Sequence, residues 1–172
     1  MKEHTGMRPH DIVVLSAVLL QNNDDWYMKD LAHKLQLSQS EISESLHRSM
    51  QVNLIGPEKR HVQRMNVRDF IQFGLKYVFP ALPGTVDRGI PAAISVSSFK
   101  EQISSSIDVV WAHPEGETSG ITIPPLYPKL PKACLEWQEL YQFVSILDVI
   151  RMNQGRREMD VAIQLLESQL DV

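Results

Sequence analysis

Residues 31–55 read LAHKLQLSQSEISESLHRSMQVNLI, and the spacing of their apolar side chains decides how the N-terminal half folds. Leu31, Ala32 and Leu35 share one face of a short helix, Leu37 falls at a turn, and Ile42, Leu46 and Met50 recur at helical spacing. Two short helices crossing at a tight turn need this pattern, so the stretch predicts a helix-turn-helix. Ala32 is small enough to let the two helices approach closely where they cross. Ser38 and Glu41, three residues apart, form a capping box that starts the second helix at Gln39. Asn53 tolerates a left-handed backbone and reads as that helix's stop.

On the N-terminal side, Pro9 to Leu20 reads as a mostly buried helix with proline in its first turn, ended by Asn22 to Asp25. Trp26 to Met28 reads as a short extended segment. After the motif, Leu54 and Ile55 begin a second extended piece, Gly56 and Pro57 open a turn carrying Glu58, Lys59 and Arg60, and His61 to Met65 alternates like a returning strand. Such a hairpin makes the unit a winged helix with a basic wing tip. Asn66 is placed to cap a helix from Val67 to Phe79, with Phe70, Ile71, Leu75, Val78 and Phe79 on its apolar side.

Eight of the ten prolines lie between Pro80 and Pro131, and serines cluster over Ser95–Ser106, so loops with a few strands are expected there. Val109–Ala112 and Ile121–Ile123 flank the turn-rich Pro114–Gly120 as a long-looped hairpin would, and Gly89 to Pro91 reads as irregular chain. Cys134–Met152 and Arg156–Leu170 then read as two amphipathic helices. The first has Leu140, Tyr141, Val144 and Leu147 on one face, and the second has Met159, Ala162, Ile163, Leu166 and Leu170. The expected organisation is therefore mainly α with a small β wing. A winged helix-turn-helix domain (7–79) precedes a mixed, loop-rich segment with short strands (80–132) and a C-terminal helical hairpin (133–172) for assembly or partner binding.

Composition narrows the function. A chain of 172 residues with 43% apolar content can bury one sizeable core. It holds no run of eighteen apolar residues, and Met1 to Arg8 lacks the apolar core of a leader, so the expectation is a cytoplasmic protein without a membrane span. The single cysteine, Cys134, excludes an internal disulfide and reads as a helix-packing residue. Net charge is −4, yet Trp26 to Pro80 carries eight cations against five carboxylates, +3 locally, leaving −7 elsewhere. Screening confines a field to about 8 Å, so an acidic body can still offer a basic face to a polyanion.

Residues 7–79 resemble the winged helix-turn-helix of bacterial regulators of the multiple-antibiotic-resistance-regulator (MarR) type, on the strength of the 31–55 stretch. That resemblance implies a DNA-binding transcriptional regulator, usually dimeric, whose second motif helix enters the major groove while the wing reaches backbone or minor groove. On the solvent side of that helix stand Gln39, Ser40, Ser43, Glu44 and His47. Gln39 can pair bidentately with adenine, the serines permit close approach, and Glu44 can accept from cytosine N4. Arg48, Lys59, Arg60 and Arg64, with Lys29 and Lys34 on the first motif helix, would hold phosphates on either side. The working expectation is a repressor that binds double-stranded DNA as a homodimer without a cofactor or metal.

Two rivals remain. A winged helix can serve as a protein-interaction module, such as an antitoxin or a partner-controlled regulator, with the C-terminal helices, Trp137 and Tyr141 among them, holding the partner. An enzyme in the second half has little to support it. Asp87, Arg88, Asp108, His113, Glu115 and Glu117 show no spacing that joins a nucleophile to a base or builds a metal site. Arg88, in Thr85–Ala93, could present a cation to an anionic ligand, or could simply pair with a carboxylate in a crossover loop.

Overall fold

The structure, a computed structural model, describes residues 6–21 and 23–172. Met1–Thr5 of the N-terminal stretch, and Asn22 of the predicted helix end, lie outside the described residues. Helices dominate, with one small sheet.

α1 (Pro9–Leu19) is sealed along Asp11 to Val18 because its apolar residues surround it rather than forming a stripe. α2 (Met28–Leu35) and α3 (Gln39–Gln51) cross at the expected turn, where Leu37 N donates to Ala32 O at 3.0 Å. Leu31, Ala32, Leu35, Ile42 and Leu46 are all buried. The capping box forms as read: Glu41 N donates to Ser38 Oγ at 3.1 Å, and Ser38 N to Glu41 Oε2 at 2.8 Å. Just past α3, Asn53 is left-handed, with φ of 58°.

The expected hairpin is reduced to one antiparallel bridge, Ile55 with Val62, flanked by Gly56 N to His61 O and Gln63 N to Leu54 O, both 2.9 Å. His61 to Met65 does not continue as a strand, since α4 (Arg64–Asp69) already begins there. Asn66 is therefore inside the helix and does not cap it. Its Nδ2 donates to Asn53 O at 2.7 Å and so satisfies a carbonyl just beyond the end of α3. The helical run passes through a π turn (Phe70–Gly74) into α5 (Leu75–Val78). The wide turn puts Val67, Ile71 and Leu75 on the buried side at every fourth residue, and Val78, expected inside, is exposed.

Sheet structure comes instead from the middle segment. β1 (Val86–Pro91) includes the run read as irregular, and it pairs antiparallel with both β2 (Val109–Ala112) and β3 (Thr118–Thr122). β2 and β3 run parallel, Val109 opposite Ile121, so they are not the two arms of a hairpin. Gly89 makes this ring possible: a Cβ there would stand 2.0 Å from Trp111 O.

The predicted helix from Cys134 splits at extended Trp137 into α7 (Leu130–Glu136) and α8 (Gln138–Met152). α8 is not amphipathic in use: Phe143 through Arg151 are all buried, because α1, α5, α7 and α9 (Arg156–Leu170) pack around it. One hydrophobic core runs through all three sequence segments. Cys134 is fully buried in it, and burial pushes its thiol far up, in keeping with a packing role. No helix among the described residues is long and apolar enough to cross a membrane.

Two buried ion pairs tie this core together. Asp11 in α1 accepts Arg48 Nε at 2.8 Å and Nη2 at 2.7 Å from α3, and also caps its own helix by accepting Arg8 N at 2.8 Å. In α8, Asp148 accepts from Arg151 Nη1 and, at 2.9 Å, from Trp111 Nε1 of β2. Arg151 reaches on to Phe79 O at 2.8 Å and Pro124 O at 3.3 Å. Burial pushes the Asp148 carboxyl up, while Arg151 and Trp111 pull it down.

Candidate nucleic-acid interface

α3 turns Ile42, Ser45, Leu46, Arg48 and Ser49 inward, which leaves the opposite side as an outward ridge. Gln39, Ser40, Glu44 and His47 are exposed on it and Ser43 is half-buried. Glu41, at its start, is committed to the cap. The Ser38 backbone N–H, followed by the Ser38 hydroxyl, holds its carboxyl below the usual range.

The bracketing cations are arranged differently from the sequence reading. Arg48 does not face solvent, because its guanidinium is buried against Asp11, with His10 Nε2 at 3.3 Å and Glu44 Oε2 at 3.8 Å. Burial, aided by Arg48, lowers the His10 pKa. Arg60 lies 3.9 Å over the Trp26 ring and donates to Trp26 O at 2.9 Å. Arg64 donates to Leu170 O at 2.8 Å, tying the start of α4 to the end of α9. Lys34 Nζ sits 4.8 Å over the Trp137 ring, so Trp137 meets this chain's own α2. Lys29 is exposed, 5.6 Å over the Tyr27 ring, and Lys59 is half-buried in a left-handed turn with φ of 57°. Tyr141, the other candidate aromatic anchor, donates its hydroxyl to Pro91 O. Arg88 stands exposed on β1.

Sequence reasoning missed a clasp at the turn after the bridge. His61 places Nδ1 3.0 Å from Glu58 Oε1 and Nε2 3.1 Å from Asp24 Oδ2. The Glu58 hydrogen bond, then the Asp24 charge, raises the His61 pKa. The doubly donating, charged ring is the form that joins both carboxylates. The clasp is therefore complete below the ordinary histidine value of about 6.5 and is lost as pH rises through the raised one. A proton NMR titration should find His61 titrating above about 6.5. Glu58→Gln should bring it back down, and an unchanged midpoint in that variant would contradict the clasp.

Between the end of α3 and this turn lies a groove of about 550 Å³ whose lining includes Met50, Asn53, Pro57, Gln63 and Asn66. A ridge of short polar groups beside an open groove is able to lie against a flat, hydrogen-bonding surface. Compared with family models, curated proteins and solved structures, the chain finds no match.

Proposed function

We propose that this protein is a sequence-specific DNA-binding regulator of winged helix-turn-helix type, acting as a repressor, with α3 in the major groove and the bridged turn after it as the wing. The observation that carries the reading is the bare ridge. More than half of the chain lies outside the first 79 residues, yet it meets the α2–α3 unit on the α2 side, through α7, Tyr127 and Trp137, and leaves Gln39, Ser40, Glu44 and His47 exposed. Gln39 would read adenine, Ser40 and Ser43 would allow close approach, and Glu44 would accept from cytosine. Lys29 and Lys59 would hold phosphates. Repression follows from a regulator occupying duplex that other proteins need.

Gel-shift titrations at two salt concentrations, against duplexes selected from a random pool, test this. Gln39→Ala with Ser43→Ala should flatten sequence preference, at about 1–3 kcal/mol for each bidentate base pairing removed. Lys29→Ala with Lys59→Ala should weaken all duplexes alike and reduce the salt slope by about 0.9 for each phosphate no longer neutralised. Absence of binding to any duplex at low salt would overturn the reading.

One observation favours the rival, a winged-helix protein-interaction module. Arg48, Arg60, Arg64 and Lys34 are engaged within the chain, and Glu44 is exposed on the ridge, so the face is less cationic than phosphate binding usually requires. That module would show duplex affinity unaltered by both pairs of substitutions.

A further inference from the structure

A cavity of about 280 Å³ lies where three separated stretches of chain meet: His10 of α1, Leu37 and Glu41 around the α2–α3 turn, and Tyr127, Pro128 and Lys129. That volume is just under the roughly 300 Å³ at which sites for drug-sized ligands begin, so it suits a small metabolite. The Tyr127 hydroxyl is already engaged, donating to Leu35 O at 2.8 Å, and its ring stands edge-on to the His10 imidazole with centroids 6.4 Å apart. Ring, Leu37 and Pro128 together give the cavity apolar lining. His10 has a defined tautomer when neutral. Arg48 Nη2, 3.3 Å away, can only donate, so His10 Nε2 accepts and the proton sits on Nδ1. That N–H meets no acceptor among the described residues.

Two charges select the ligand. Lys129 is exposed and forms no ion pair among the described residues. Glu41 uses Oε2 to accept from Ser38 N at 2.8 Å, and its Oε1 has no hydrogen-bond partner among the described residues. A ligand bearing only a carboxylate meets a like charge at Glu41, and one bearing only an ammonium meets a like charge at Lys129. A molecule that carries both groups finds a charge-assisted partner for each. We propose that this cavity binds a free α-amino acid with an apolar side chain, of leucine or phenylalanine size. Its carboxylate would lie on Lys129 and the His10 N–H, its ammonium on Glu41 Oε1, and its side chain against Tyr127, Leu37 and Pro128. The inference stands on the cavity alone and does not need DNA.

Heteronuclear NMR titration of the full chain without duplex tests it, with leucine and phenylalanine as probes. Either should shift the backbone amides of Leu37, Tyr127 and Lys129 together, and should raise the unfolding temperature with concentration by mass action. N-acetyl-leucine lacks the ammonium and leucinamide lacks the carboxylate, so each should bind roughly tenfold more weakly than leucine. Glycine, with both charges and no side chain, should also bind more weakly. Lys129→Glu changes an exposed residue, so it should retain the native circular dichroism spectrum and reverse the order, taking leucinamide in preference to leucine. Glu41→Gln keeps an acceptor for the Ser38 cap and removes the charge, so it should lose the preference for leucine over N-acetyl-leucine. No shift at these amides with either amino acid up to about 10 mM, a Kd near the weak end of specific binding, would overturn the proposal. So would equal binding of leucine, N-acetyl-leucine and leucinamide, or a preference that neither substitution alters. Leucine binding in a chain that shifts no duplex would leave this inference standing and sink the DNA reading; a duplex shift in a chain that binds no amino acid would do the reverse.

Discussion

Asp148→Ala should unfold at markedly lower urea concentration and temperature than the wild type. The carboxylate is fully buried and accepts from two groups that are themselves sealed off, the Arg151 guanidinium and the Trp111 indole N–H. Removing one partner of a buried ion pair costs about 3–5 kcal/mol, because the remaining charge keeps its desolvation penalty without its counter-charge. For a chain of this size that corresponds to a melting temperature lower by about 6–20 °C. The loss is moderated by the Phe79 and Pro124 carbonyls that Arg151 still reaches. Asp148→Asn, which retains an acceptor for Trp111, should fall between wild type and alanine. A change under about 1 kcal/mol in the alanine variant would show that the network is dispensable.

Arg48→Leu is expected to be nearly as costly, about 3 kcal/mol or more, and its cost should depend on pH. Without the guanidinium, Asp11 is left buried with the Arg8 N–H as its remaining strong donor. His10 lies nearby, its Nε2 3.5 Å from Asp11 Oδ1, and in the wild type burial together with Arg48 lowers its pKa. Once the arginine charge is gone, the imidazolium can partner Asp11, so the folded variant takes up a proton more readily than the folded wild type. The stability deficit should therefore shrink as pH falls from about 7.5 toward the ordinary histidine value near 6.5 and below. Denaturant melts of both proteins across that range measure it, and a deficit that is flat with pH would remove His10 from the account. The same melts decide how the absence of a DNA shift in an Arg48 variant is to be read, since its cause would be the tilt of α3 against α1.

What the sequence shows clearly is whatever a helix decides within one turn. Leu31, Ala32 and Leu35 against Ile42 and Leu46, the Ser38–Glu41 cap, and the left-handed Asn53 all depend on neighbours three or four residues away, and the structure has them where the spacing puts them. The surroundings of the cations are not legible in the same way, because their partners are remote in sequence. Arg48 finds Asp11 at a separation of 37 residues, Arg60 finds Trp26 at 34, and Arg64 finds Leu170 at 106. Nothing local separates Arg48 from its exposed neighbour His47.

Two other differences between sequence and structure have physical causes of the same kind. α8 reads as amphipathic because Asp148 and Arg151 look like a solvent face, whereas they neutralise each other inside the core. The π turn over Phe70–Gly74 hides the outward aromatics, since a period of 3.6 assigns Val78 to the buried side. β2 and β3 are legible as strands but not as a parallel pair, because the pairing is set by β1, which reaches both of them.

The way β1, β2 and β3 close on one another has a consequence for how this region can be used. Each strand pairs with both of the others over part of its length, so no strand is left with a wholly unpaired edge to template an incoming chain. Growth by stacking further strands, whether in fibril assembly or in capture of an extended peptide, has only short stretches of edge to start from there. A partner for this part of the molecule finds more to recognise in projecting groups such as the exposed Arg88 than in the backbone.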